Sequence, residues 1–205
     1  MITTIIFDWG GVVIKNPSQE LLRYCAKYFH LPVETLRPVL QTYEPDFQKG
    51  VLSEQEFWNH ICKDLHIPLP RTTSLWRDAF EHVYQEQPGI PTMIQNLKKK
   101  GYTIALLSNT ELPSLTIFND HTRHLFDLCV FSCNEGIIKP DPRIYTITLR
   151  KLQATPSQTV FVDDKPENVH TAAKLGMHAI LFTTPQQLTE TLQDILNIRS
   201  LSSSF

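Results

Sequence analysis

What the chain lacks narrows its function before any motif is read. It carries no excess of either charge: 19 Lys and Arg against 21 Asp and Glu leave a formal charge of -2. That near-balance removes the usual electrostatic case for a duplex nucleic-acid binder, so no nucleic-acid partner is expected. No run approaches the roughly 18 apolar residues of a membrane-spanning helix, and no membrane partner is expected either. The first residues, MITTIIFDWGGVVIK, have no basic leader and hold Asp8 inside their apolar stretch. They do not read as a signal peptide, and a cytoplasmic location is the expectation. Cysteine is sparse, at Cys25, Cys62, Cys129 and Cys133, with no His or further Cys at zinc-site spacing. The remaining composition, 41% apolar and 20% charged, excludes disorder and filament repeats. A chain of 205 residues buries roughly 70% of its unfolded surface and needs no disulfide or structural metal to fold.

Periodicity divides the chain. Ile2 to Phe7 reads as a buried strand that runs through Asp8 and Trp9 into a tight turn at Gly10 and Gly11. From Ser18 to Glu86 the apolar period becomes helical, with four helices, one opened by the Ser53–Glu56 capping box. Two of the three tryptophans fall here, which suits a bundle with its own core. Beyond Pro88 strands and helices alternate, with strands at Tyr102 to Leu107, Leu128 to Phe131, Thr159 to Val162 and Ala179 to Phe182. Such alternation predicts an α/β fold, a Rossmann-like parallel sheet with helices on both faces. The expected organisation is a discontinuous core, residues 1–15 and 88–205, with a four-helix cap domain inserted at 16–87. The tail from Arg199 to Phe205 is expected to fray.

Open parallel sheets bind ligands at the carboxyl ends of their strands. Three expected strands end in Asp8, Ser108–Asn109 and Asp163–Asp164, and Lys139 follows a fourth. Adjacent carboxylates repel in a mouth of low dielectric, and a divalent cation that prefers oxygen relieves that repulsion. Mg²⁺ suits such a site because it takes few protein ligands and keeps waters or phosphate oxygens. Phosphoryl transfer fits these parts: a carboxylate attacks phosphorus while metal, lysine and backbone N–H groups neutralise the equatorial oxygens.

Four segments in this order, FDWGG at Phe7 to Gly11, LLSNT at Leu106 to Thr110, KPDPRIY at Lys139 to Tyr145 and FVDDKPEN at Phe161 to Asn168, resemble the haloacid dehalogenase-like hydrolase superfamily. The similarity is to the branch with a small helical cap after the first strand, which includes epoxide hydrolase N-terminal domains and sugar-phosphate phosphatases. It covers almost the whole chain. The resemblance implies Asp8 as nucleophile, forming an aspartyl phosphate, and Mg²⁺ held by Asp8, the Gly10 carbonyl and Asp164. It implies that Ser108, Asn109 and Lys139 hold the phosphoryl group, with Asp163 and Asn168 supporting, Asn168 toward the metal waters. The substrate is expected to be a small phosphorylated metabolite, possible sugar phosphates included, contacted by Trp9, Gly10, Ser108, Asn109, Lys139 and Phe47. Phe47 is the cap's lining candidate because it precedes Gly50 on an expected loop between helices.

One position departs from the family pattern. Family phosphatases usually carry a general acid-base Asp two residues after the nucleophile, where this chain has Gly10, as does a subgroup of the family with the pattern D-x-G-G/N-V that is associated with hydrolase activity. Losing the acid-base group typically costs 10²–10⁴-fold. Two alternatives follow: a weakened or phosphate-binding-only member, and a metal-free 2-haloacid dehalogenase, which would gain nothing from the Asp163–Asp164 pair.

Overall fold

The structure, a computed structural model, describes residues 1–198; the tail expected to fray, Arg199 to Phe205, lies outside the described residues. Five parallel strands, β1 (Thr4–Phe7), β2 (Thr103–Ser108), β3 (Leu128–Phe131), β4 (Thr159–Asp163) and β5 (His178–Leu181), form one sheet in the order β3-β2-β1-β4-β5. Their apolar runs are continuous because both faces are covered. Ile5, Phe7, Ile104, Leu106, Val160 and Val162 point to one face, and Ile6, Ala105, Leu107 and Phe161 to the other. That alternation is the two-residue period of a strand.

Four helices stand between β1 and the first crossover: α1 (Ser18–Tyr28), α2 (Val33–Gln48), α3 (Glu54–Leu65) and α4 (Leu75–Val83). The capping box closes at the start of α3, where Ser53 accepts from the Glu56 N–H and Glu56 accepts from the Ser53 N–H. The crossover elements are α5 (Ile90–Lys99), α6 (Leu115–His121), a single turn α7 (Ser132–Glu135), α8 (Pro142–Leu152), α9 (Pro166–Lys174) and α10 (Pro185–Leu196). The expectation of a separate core for the inserted helices is corrected. One apolar cluster runs without a break from Phe7 and Leu106 on the sheet, through Trp9, Val12 and Phe118, to Leu36, Phe57 and Trp76.

Helix α2 also runs further than its prolines suggest. Pro38 and Pro45 lie inside it, each removing one backbone donor. The carbonyls left without that donor belong to Glu34 and Gln41, both exposed residues, so the helix continues to Gln48. Phe47 is therefore helical. It is buried, stacked on Phe57 at 4.2 Å and edge-on to Trp76 at 5.2 Å. The expectation that it lines the cleft from a loop is overturned, and its neighbour Gln48 takes that place.

Candidate active site

β1 is the middle strand, and strand order reverses between β1 and β4, the position where such sheets bind ligands. Phe7 is level with Leu106 on β2 and Val162 on β4. The next step of the register sets Asp8 beside the ends of both neighbours, and its N–H donates to the Val162 carbonyl at 2.9 Å. Carboxylate oxygens of Asp8, Asp163 and Asp164 lie within 4.8 Å of one another.

Lys139 stands among them, buried, 2.7 Å from Asp8 Oδ1 and 2.6 Å from Asp163 Oδ2. Its third proton goes to the Leu107 carbonyl at 2.9 Å. Burial works against the ammonium charge, but Asp8 and Asp163 outweigh it and hold the group above its ordinary pKa. Asn109 fixes the lysine's backbone: its amide donates to the Lys139 carbonyl at 2.9 Å and accepts from the Lys139 N–H at 2.8 Å.

The two acids after β4 differ in what is left for a ligand. Asp163 is saturated, accepting from Lys139, from the Asn168 amide at 2.9 and 3.0 Å, and from the Lys165 N–H at 2.9 Å. Asn168 thus orients Asp163, where an approach to metal waters was expected. Asp164 accepts from the Asn16 amide at 3.3 Å through Oδ2, while its buried Oδ1 has no partner among the described residues. Burial, with Asp163 adding to it, pushes the Asp164 carboxyl above its ordinary range. Burial pushes Asp8 up to about 7, against the pull of Lys139 and with a further push from Asp163 and Asp164. One ammonium against three carboxylates leaves the charge of one divalent cation uncompensated. An orphaned buried oxygen and an unbalanced oxygen cluster suit Mg²⁺.

Ser108, at the end of β2, accepts from the Thr110 hydroxyl at 2.7 Å, which leaves its own proton for a ligand oxygen. A cleft of 540 Å³ is lined by Asp8, Trp9, Gly10, Ser108, Asn109 and Lys139 below and by α1 and α2 residues above. Trp9 stacks on Phe80 at 5.0 Å. Lys49 and Arg77 do not line the cleft: Lys49 pairs with Asp46 and Arg77 with Asp78. Sequence reasoning missed Arg37, Gln41, Glu44, Gln48, Glu111 and Lys165, which do line it. The four α2 residues recur at intervals of four, three and four, a helical period of polar side chains that was open to inspection.

An open parallel sheet with this carboxylate-lysine cluster at its switch point places the chain among the α/β proteins that bind ligands at the carboxyl ends of their strands. The comparison with known families is narrower: residues 2–176 match the model described as haloacid dehalogenase-like hydrolase, and the chain belongs to that family. It is 38% identical over 196 residues to the bifunctional epoxide hydrolase 2 of Mus musculus, covering 85% of this chain and 35% of that protein. It is 28% identical over 210 residues to the D-ribitol-5-phosphate phosphatase of Bacteroides thetaiotaomicron, covering 96% of this chain and all of that one. The chain spans between 19% and 35% of the length of several mammalian relatives it matches. A HAD family enzyme of Bacteroides thetaiotaomicron, solved with magnesium and inorganic phosphate, shares the fold at a TM-score of 0.75, with 19% identity over 90% of this chain and 96% of that one. Among the described residues no helix is long and apolar enough to cross a membrane.

Proposed function

We propose that this chain is a Mg²⁺-dependent phosphomonoester hydrolase acting on a small phosphorylated metabolite. The observation that carries this reading is the buried Oδ1 of Asp164, without a partner among the described residues, beside Asp8 and Asp163, with the Lys139 ammonium bonded into the cluster. Asp8, Asp164 and the Gly10 carbonyl would hold Mg²⁺, which when bound would offset the charge of the phosphoryl oxygens. Asp8 attacks phosphorus and forms an aspartyl phosphate, and the alkoxide leaves. Ser108 donates to a phosphoryl oxygen, Lys139 neutralises another, and Asp163, fixed by Asn168, holds Lys139 in place. Water then cleaves the aspartyl phosphate and returns Asp8. Residues 1–15 with 88–205 serve as the hydrolytic core and 16–87 as the cap that closes the cleft. The relatives that act on phosphate esters support the reaction class, as does the neighbour bound to magnesium and phosphate.

Gly10 favours a second reading, a slow or binding-only member, because its position offers no carboxyl to protonate the leaving oxygen. Phosphate release from a panel of phosphorylated metabolites, with Mg²⁺ and with excess chelator, separates the readings. Metal-dependent release that disappears in Asp8→Asn supports the hydrolase. Binding of phosphate without release from any panel member supports the second reading, and full release in chelator overturns the Mg²⁺ requirement.

A further inference from the structure

Helix α2 turns a polar stripe toward the cleft. Arg37, Gln41, Glu44 and Gln48 share one side of the helix and all line the cavity. The apolar residues that seat the helix, Leu36, Leu40 and Phe47, are buried beside them. Polar residues next to a core face ordinarily meet bulk water, but these form a wall of the space that holds Asp8.

The stripe is graded along its length. At the Gln48 end the side-chain amide donates to Glu111 at 3.0 Å and to Glu44 at 3.3 Å. Trp76 donates to the other Glu111 oxygen at 3.2 Å. The same residue is tied to the phosphoryl side of the cleft, since Ser132 donates to the Gln48 carbonyl at 2.6 Å and accepts from the Thr110 N–H at 2.9 Å. These bonds use the Gln48 donors and leave its side-chain oxygen and one Glu44 oxygen without hydrogen-bond partners among the described residues, though the Lys165 charge also acts on the Glu44 carboxyl. At the far end, roughly 16 Å along the axis at 1.5 Å per residue, Arg37 is half-buried and makes no ion pair among the described residues.

We propose that this stripe is the leaving-group subsite, and that it takes a hydroxylated phosphomonoester ending in a carboxylate or a second phosphate. The proposal rests on the phosphatase reading above and adds the substrate class to it. Free acceptors in the cleft that Ser108 also lines match hydroxyl protons and gain nothing from a bare alkyl chain. A guanidinium drawn partly out of water with no internal partner matches a planar anion, which it binds through two parallel hydrogen bonds.

Three six-carbon phosphates test the subsite: 6-phosphogluconate, glucitol 6-phosphate and glucitol 1,6-bisphosphate, which differ at the end remote from the shared phosphoester. Affinities are measured by calorimetry with Mg²⁺ on the Asp8→Asn protein, which cannot turn over. We expect 6-phosphogluconate, the bisphosphate or both to bind about tenfold more tightly than the neutral polyol phosphate, and which of them does so identifies the terminal group. Adding Arg37→Gln is expected to bring the ratio to within about twofold, and Arg37→Lys, which keeps the charge but loses the fork, to leave it intermediate. Equal affinities, no binding of any of the three, or a ratio that survives Arg37→Gln overturns the subsite. Phosphate release by the unmodified protein is followed separately. If none of the three is hydrolysed, the hydrolase reading is challenged, and the affinity ratio still decides the subsite.

Discussion

Gly11 and Asp164 compete for one space: a Cβ on Gly11 would stand 2.2 Å from Asp164 Oδ2. The glycine also holds φ at +97°, a region that costs other residues about 1–2 kcal/mol. Gly11→Ala is therefore expected to displace the Asp164 carboxylate as well as strain the turn. Mg²⁺ affinity by calorimetry should fall by about tenfold or more, with a melting temperature lowered by a few degrees. Unchanged metal affinity would show that Asp164 does not ligate from its present position.

Gly10 behaves differently from its neighbour. It is absent from the positive-φ positions, and an added Cβ would meet only Pro17 Cδ at 3.4 Å and Pro17 Cγ at 4.0 Å. Gly10→Asp should therefore fold. With an acid restored two residues after Asp8, kcat/KM for alkyl phosphates is expected to rise by about tenfold or more, and its dependence on leaving-group basicity to flatten. A series of aryl and alkyl phosphates of graded leaving-group pKa measures both effects.

Lys139 is the counter-ion of Asp8 and Asp163. Breaking a buried pair by removing one partner costs about 3–5 kcal/mol. Lys139→Met in the metal-free protein at pH 8 should lose stability of that order, and phosphate release should be abolished. Adding Asp163→Asn removes one of the stranded charges, so the double variant should recover part of the stability without recovering activity. Urea unfolding followed by circular dichroism gives both numbers.

Glu111 joins the inserted helices to the sheet through Gln48 and Trp76, and burial pushes its carboxyl up to about 7. A pKa raised by folding means that the folded state binds the proton more tightly than the unfolded chain. The contribution to stability is full below about 4.5, the ordinary Glu value, and is lost as pH rises toward 7. Glu111→Gln, which carries no titrating group there, should flatten the fall in melting temperature between pH 5 and 8 (about the window the shift defines) and melt higher than the unmodified protein at pH 8. An equally steep fall in the variant would place the titration elsewhere.

The sheet and its cluster were legible because they rest on local signals. Apolar runs ending in Asp8, Ser108 and Asp163 mark strand ends by composition alone, and parallel pairing then brings those ends together. The cleft wall was not legible in the same way. Its place just before Gly50 put Phe47 on a loop, whereas packing of Phe47 against Phe57 and Trp76 carries α2 past it. The short helix at Ser132 left no periodic trace in four residues, yet its hydroxyl links Gln48 to Thr110. Glu111 left no local signal at all, because its partner Trp76 lies 35 residues away in sequence.

The unbroken apolar cluster from Phe7 through Trp9 and Phe118 to Trp76 makes the inserted helices and the sheet a single cooperative unit. Residues 16–87 cut out as a peptide would expose the faces of Trp76 and Phe80 that the core covers, and would not hold a fixed structure. The excised core would lose the cover over Trp9 in turn. Slowly exchanging amides should then be found on both sides of the cleft with one common opening free energy, so that substrate enters through movement of side chains at the mouth and not by the swing of an independently folded lid.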